Sequence, residues 1–101
     1  MSNITNARKV LVTRILEGEG RAPHAQRKAA FDNAGLAEPL RTLIGKVARN
    51  ARTVTDQDVA AARASGLSED QLFELIVCAA VGQAVRQHEA ALAALDAAAK
   101  G

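Results

Sequence analysis

Aromatic residues are almost absent from this sequence, which has two phenylalanines and neither tryptophan nor tyrosine. Its apolar fraction is 49%, but 23 of those apolar residues are alanine, so one chain of 101 residues has little side-chain area to bury. Small domains with a thin core gain stability when they share that core with a second copy. We therefore predict a single domain, residues 1–101, that forms a homo-oligomer.

Cysteine and long apolar runs are also scarce, and each scarcity excludes a class of protein. The one cysteine cannot form an internal disulfide. Residues 9–16 lack the continuous apolar run and the cleavage site of a signal peptide. No segment reaches the roughly 18 apolar residues that a membrane span requires. The sequence therefore predicts a cytoplasmic protein without a membrane partner.

Metal and cofactor motifs are missing as well. The two histidines and the cysteine stand without the spacing of metal ligands. The segment "GEGRAP" lacks the lysine and the preceding strand of a phosphate-binding loop. We predict no metal and no cofactor.

Charge is distributed unevenly along the chain. Residues 1–52 carry ten Arg/Lys and four Asp/Glu, whereas residues 53–101 carry three and seven, so the halves are +6 and −4. A basic half suits nucleic acid, but the chain lacks aromatic residues for stacking and has no recognition-helix motif. We instead expect the two halves to pack against each other, within one chain or across a dimer.

The spacing of apolar residues predicts an all-α fold of about five helices. Residues 1–36 would hold two N-terminal helices, and residues 37–98 would form the helical core. In the first helix, Ile4, Ala7, Leu11 and Ile15 form one stripe that we expect to pack into the fold. From Glu38 to about Ala51, one face is apolar at the spacing of a buried amphipathic helix.

Two helix starts are well defined in the second half. Thr55 with Asp58, and Ser68 with Gln71, have the spacing of reciprocal capping boxes. Gly66 between them suits the left-handed residue that ends a helix. We expect a helical hairpin with its corner near Gly66.

The last helix runs from Glu69 to about Ala98, roughly 45 Å at 1.5 Å per residue. Residues 72–81 are apolar except Glu74, which predicts a central helix with neighbours on all sides. Leu92 and Leu95 lie in the alanine-rich end, where we expect a helix–helix seam.

The candidate catalytic residues are Glu74, Cys78 and His88. Ten helical residues separate Cys78 from His88 by roughly 15 Å, so a thiolate–imidazole pair needs an interface, or His24 as the base. We favour Cys78 as a small buried hydrophobe over a nucleophile. Glu74 is an exposed acid if its stripe faces water, or a proton carrier with a raised pKa if it faces a pocket. We favour the exposed position.

Gln83 and Arg86 are the candidate ligand-binding residues. Both continue the helix face that should be core, and an arginine there requires a partner. Either an inter-helix or inter-subunit acid or a small anionic ligand would serve.

The segment "VTDQDVAAARASGLSEDQLFELIVCAAVGQAVR" resembles the later part of proteins in the carboxymuconolactone decarboxylase and alkyl hydroperoxidase D-like superfamily. The likeness lies in the acidic helix start, the "SGLSED" corner, and an apolar helix that ends in an amide and an arginine. Residues 39–95 are covered, a little over half of the chain. The resemblance implies an alkyl hydroperoxidase D-like helical bundle that assembles as an oligomer.

Peroxidase members of that superfamily act through a CxxC pair with a following histidine, and this sequence has no CxxC. No catalytic residue of the family transfers, so the resemblance does not imply a dithiol peroxidase cycle. We predict an oligomeric accessory or small-ligand-binding module. The alternative is an enzyme with an inter-subunit pocket that acts on a small acidic or hydroperoxide-like substrate.

Overall fold

The computed structural model describes residues 3–100, with side chains from Asn6 onward, and its regular structure is helical. The helices are α1 (Asn3–Glu17), α2 (His24–Asp32), α3 (Leu40–Asn50), α4 (Asp56–Ala64) and α5 (Glu69–Lys100), with a short 3-10 turn at Ala51–Thr53. No strand occurs within residues 3–100. The prediction of an all-α fold with five helices is confirmed, whereas the specific bundle type and the oligomeric state stay predictions.

Both capping boxes form as their spacing predicts. The Thr55 hydroxyl accepts from the Asp58 N–H at 3.1 Å, and the Asp58 carboxylate accepts from the Thr55 N–H at 2.9 Å. Ser68 and Gln71 exchange the same pair of bonds at 3.1 and 3.0 Å. Gly66 has φ of 109°, the left-handed conformation that ends α4 and opens the corner. Local chemistry therefore determines where α4 ends and α5 begins.

The core lies where α2 and α3 cover one side of α5. Its largest fully buried side chains are those of Leu43, Ile44, Leu75 and Cys78. These residues come from the apolar face of α3 and from the inward face of α5, with alanines filling the remaining space. Because the core is thin, the helices must come close together.

The closest approach is between α2 and α5 at Gly82. A Cβ atom on Gly82 would lie 2.0 Å from the Phe31 carbonyl oxygen and 2.7 Å from its carbonyl carbon. Only a residue without a side chain fits there. The fold therefore depends on a glycine inside its longest helix.

α5 is not surrounded by neighbours, so the expectation of a central helix is wrong for its outer side. The Phe73 side chain is 67% exposed and Ala80 is exposed. The longest dimension of the molecule is 50 Å, compared with 29 and 20 Å across. α5 extends beyond the bundle because four short helices cannot cover a helix of 32 residues.

α1 packs with a different face from the predicted stripe. Ile15 contacts the core, but Leu11 is 50% exposed and Ala7 is exposed, while the Ile4 side chain lies outside the described residues. Arg8 and Val12 are partly buried instead. Arg8 donates to His88 and pairs with Glu89, and these polar contacts join α1 to α5.

The basic and acidic halves of the chain meet through ion pairs. Lys46 pairs with Asp58 at 2.7 Å, and Arg21 pairs with Asp70 at 3.4 Å. These contacts join α3 to α4 and the α1–α2 connection to α5 within one chain. The expected packing of the two halves is confirmed.

Candidate functional site

The predicted site residues lie in two separate places along α5. Glu74 and Cys78 line a small cavity of about 170 Å³ together with residues of α1 and with Arg27. Arg86 lines a different cleft of about 540 Å³ between α1 and α5. Within one chain, the five candidates therefore do not share one pocket.

Glu74 binds the loop that joins α1 to α2. Its carboxylate accepts from the Arg21 N–H at 2.7 and 3.0 Å and from the Ala22 N–H at 2.6 Å. The side chain is half-buried, so the expectation of an exposed acid is wrong. Glu74 acts as a capping group for backbone donors more than fifty residues away.

Arg27 holds the same loop from the other side. Arg27 is 4% exposed, and its guanidinium donates to the carbonyl oxygens of Ala22 at 2.8 Å, Gly18 at 2.7 Å and Ile15 at 3.4 Å. We call Arg27, Glu74 and the residues 15–22 that they bind the loop latch. It satisfies backbone donors and acceptors at the end of α1 and in the connection to α2, where Ala22 is buried and Glu19, Gly20 and Arg21 are exposed.

Gly20 lies between the two charged groups of the loop latch. A Cβ atom there would be 2.7 Å from Glu74 Oε1 and 2.9 Å from Arg27 Nη2. The missing side chain allows the carboxylate and the guanidinium to converge on the loop. The sequence signals for this arrangement are only a glycine in a "GEGRAP" segment and a glutamate in an apolar run.

The environment of Glu74 lowers its pKa. Burial alone raises the pKa of the Glu74 carboxyl. The N–H groups of Arg21 and Ala22 and the positive charges of Arg27 and Arg21 lower it by more than burial raises it, so the net shift is downward. The carboxyl is therefore ionised at neutral pH. A raised pKa, which a proton carrier would need, is not present in the single chain.

Glu74→Gln should destabilise the protein at neutral pH by about 1.5–3 kcal/mol, because hydrogen bonds to a charged acceptor are lost. A carboxyl whose pKa is lower in the folded protein than in the unfolded chain stabilises the fold fully when the pH is above its ordinary pKa, here 4.5. That stabilisation is lost as the pH falls through the lower pKa of the folded state. The difference between the two proteins should therefore shrink below pH 4.5.

Urea unfolding followed by circular dichroism at neutral and acidic pH measures this difference. Glu69→Gln is the matched control, because the Glu69 side chain is 80% exposed and has only a long ion pair, 3.7 Å, with Arg63. The control should change the free energy of unfolding by less than about 1 kcal/mol at either pH. A Glu74→Gln effect that is constant with pH would contradict the role assigned to its charge.

Cys78 is 1% exposed, and its Sγ atom lies 3.9 Å from the Ile15 carbonyl oxygen. Burial raises the pKa of the Cys78 thiol. The positive charge of Arg27 lowers this pKa and the negative charge of Glu74 raises it, and the net shift is upward. A neutral buried thiol is a poor nucleophile. In the single chain, Cys78 occupies the position of a small core residue.

Gln83 and Arg86 bind each other and α2. Arg86 Nη1 donates to the Phe31 carbonyl oxygen at 2.6 Å, and Nη2 donates to Gln83 Oε1 at 3.1 Å. Phe31 is in the last turn of α2, where carbonyl groups lack helical partners and attract a positive charge. The partner of Arg86 is thus a helix end, although the guanidinium still borders the cleft between α1 and α5.

His88 lies on the exposed part of α5, with its Nδ1 atom 3.1 Å from Arg8 Nη1. His24, the other candidate base, begins α2. Within residues 6–100, no group of three or more His, Cys, Asp or Glu side chains is arranged to hold a metal ion. In the described part of the chain, no helix is both long enough and apolar enough to cross a membrane.

Comparison of the chain with protein-family models, with curated proteins and with solved structures gives no match. The resemblance to the carboxymuconolactone decarboxylase and alkyl hydroperoxidase D-like superfamily therefore stays a prediction.

Proposed function

We propose that this protein is a self-associating helical accessory module in which two copies pair through α5. The supporting observation is an apolar line on the outer side of α5, opposite the face that packs on α2 and α3. At 3.6 residues per turn, spacings of three, four and seven residues keep this line on one side of the helix, and the polar residues Gln87 and His88 interrupt it between Ala84 and Ala91. We call it the outer stripe, and its members are Phe73, Val77, Ala80, Ala84, Ala91, Leu95 and Ala98.

The two largest side chains of the outer stripe, Phe73 and Leu95, are exposed to solvent in the single chain. Phe73 is 67% exposed and Leu95 is 68% exposed, and Leu92 beside the stripe is 50% exposed. Every residue from Gln87 to Lys100 is exposed. Because helices in proteins derive most of their stability from packing an apolar face, a partner for this segment would stabilise it.

A second α5 running antiparallel brings five of the seven members of the outer stripe face to face. If Phe73 of one copy faces Leu95 of the other, Val77 faces Ala91, and Ala84 faces its own copy at a two-fold axis. Ala84 leaves room for close approach at the axis itself, where Ala80 falls opposite His88 one turn away, and the large side chains of Phe73 and Leu95 pack at both ends. The overlap spans about 33 Å of helix.

Charge also favours a second copy over an unrelated partner. In this register the acidic start of α5, at Glu69, lies beside the basic end at Lys100 of the other copy. The antiparallel helix dipoles oppose each other favourably as well. The groups proposed for catalysis meanwhile hold hydrogen bonds that maintain the fold, which supports an accessory role over an enzyme.

Leu95→Glu should weaken self-association about 30-fold or more, since it removes a large apolar contact at each end of the interface. Sedimentation equilibrium of the wild type at micromolar concentration should show a dimer, and the variant should be largely monomeric. Val10→Glu is the matched control, because Val10 is 57% exposed on α1 and lies outside the outer stripe.

A charge exchange tests the register. Phe73→Lys and Leu95→Glu variants should each be monomeric, but their mixture should form a heterodimer with one Lys–Glu pair and one native Phe–Leu pair. A wild type that stays monomeric at about 100 μM, well above micromolar affinity, would overturn the proposed function. Variants that dimerise unchanged would overturn the interface.

A further inference from the structure

A polar cleft of about 500 Å³ lies between residues 33–36 and the solvent side of α3, away from the predicted site and from the outer stripe. We call it the α3 cleft. Three basic side chains and one acidic side chain line it, namely those of Arg41, Lys46, Arg49 and Glu38. Its volume lies within the range of small-molecule sites.

Gly45 forms the floor of the α3 cleft. It is buried in the middle of α3, and a Cβ atom there would lie 3.9 Å from both Arg49 Nη1 and Asn33 Oδ1. The guanidinium and the side-chain amide oxygen therefore lie on either side of Gly45, whose backbone is buried beneath them. Since glycine inside a helix costs about 0.5–1 kcal/mol relative to alanine, the absence of a side chain at this position is maintained at the expense of stability.

Arg49 supplies the uncompensated charge of the cleft. Lys46 is paired with Asp58 at 2.7 Å, and Arg41 is paired with Glu38 at 3.2 Å. For residues 6–100, by contrast, no carboxylate lies within 4.0 Å of Arg49. The cleft thus offers one guanidinium without an acidic partner, beside a neutral amide.

We propose that the α3 cleft binds the phosphate group of a small hydroxylated phosphomonoester, such as a sugar phosphate. A guanidinium donates two parallel hydrogen bonds to a phosphate, and the Asn33 Oδ1 atom on the other side of Gly45 can accept from a hydroxyl group of the same ligand. Glu38 at the rim supplies an acceptor for a hydroxyl group. No aromatic side chain lines the cleft, so a nucleobase has nothing to stack on.

Titration of the ¹⁵N-labelled protein with inorganic phosphate and with ribose 5-phosphate tests this proposal. Saturable shifts should be confined to the amides of residues 33–36 and 45–50, with none from ribose or from chloride at matched ionic strength. Arg49→Gln should weaken binding at least tenfold. Arg63→Gln should bind unchanged, because Arg63 is on α4 and pairs with Glu69.

Gly45→Ala separates loss of binding from loss of fold. Its methyl group enters the floor of the cleft, so binding should weaken, yet the helix should become more stable. If ribose 5-phosphate binds more tightly than inorganic phosphate, the site recognises a phosphate ester. If the two probes bind equally, the site recognises free phosphate. No saturable shift at about 10 mM probe, where even millimolar affinity is visible, or equal losses in Arg63→Gln, would overturn the site.

Discussion

Gly82→Ala should lower the free energy of unfolding by about 3 kcal/mol, although it adds only one methyl group to a helix. Overpacking a core typically costs about 1–3 kcal/mol, and this site lies at the upper end. The added Cβ would lie 2.0 Å from the Phe31 carbonyl oxygen, and a backbone atom cannot rotate away as a side chain can. α2 would have to move off α5.

The movement of α2 would break further contacts. Arg86 donates to the same Phe31 carbonyl oxygen at 2.6 Å, so displacement of α2 removes this hydrogen bond. Ala30, next to Phe31, is fully buried in the core. One methyl group therefore disturbs a hydrogen bond and a helix interface together, which offsets the better helix propensity of alanine.

Gly45→Ala is the matched control and should have the opposite sign. Gly45 is also a buried helical glycine, but its Cβ would make only ordinary contacts at 3.9 Å. We expect a gain of about 0.5–1 kcal/mol. Urea unfolding followed by circular dichroism measures both variants, and equal effects at the two glycines would contradict the close packing of α2 on α5.

Much of the fold follows from local sequence, because the deciding contacts are only a few residues apart. The boxes at Thr55 and Ser68 and the glycine at position 66 define the hairpin without reference to the rest of the chain. The apolar face of α3 likewise predicts its buried side, since periodicity alone determines which residues share a face. The length of α5 follows in the same way.

The Glu74 contacts of the loop latch could not be predicted, since they join residues more than fifty positions apart. Glu74 is a lone acid in an apolar run, a pattern that favours an exposed residue over one that faces a pocket. Its actual partners are backbone N–H groups, which no side-chain pattern reveals. Arg27 is in a weakly amphipathic helix and gives no local signal that its guanidinium is buried.

The exposure of the outer side of α5 could not be predicted, for a different reason. An apolar run such as residues 72–81 is typical of a helix with neighbours on all sides, but composition does not say whether those neighbours belong to the same chain. In the single chain the inward face is covered by α2 and α3, and Phe73 remains exposed. The proposed pairing of α5 with a second copy would reconcile the pattern with the structure.

Arg27→Met should lower the free energy of unfolding by about 3–5 kcal/mol, since removing one partner of a buried charged network leaves the other groups uncompensated. Methionine keeps most of the apolar stem but donates no hydrogen bond. The carbonyl groups of Ala22, Gly18 and Ile15 lose their donor, and Glu74 loses the buried positive charge that favours its ionised form. Thermal unfolding measures the loss.

Arg21→Met is the control for the same substitution in the same loop. The Arg21 side chain is 73% exposed and pairs with Asp70, which is 72% exposed, so its loss should cost less than about 1 kcal/mol. A double-mutant cycle of Arg27→Met with Glu74→Gln should show coupling above about 0.5 kcal/mol, because both side chains hold residues 15–22. Additive effects would mean that the two charges act on the loop independently.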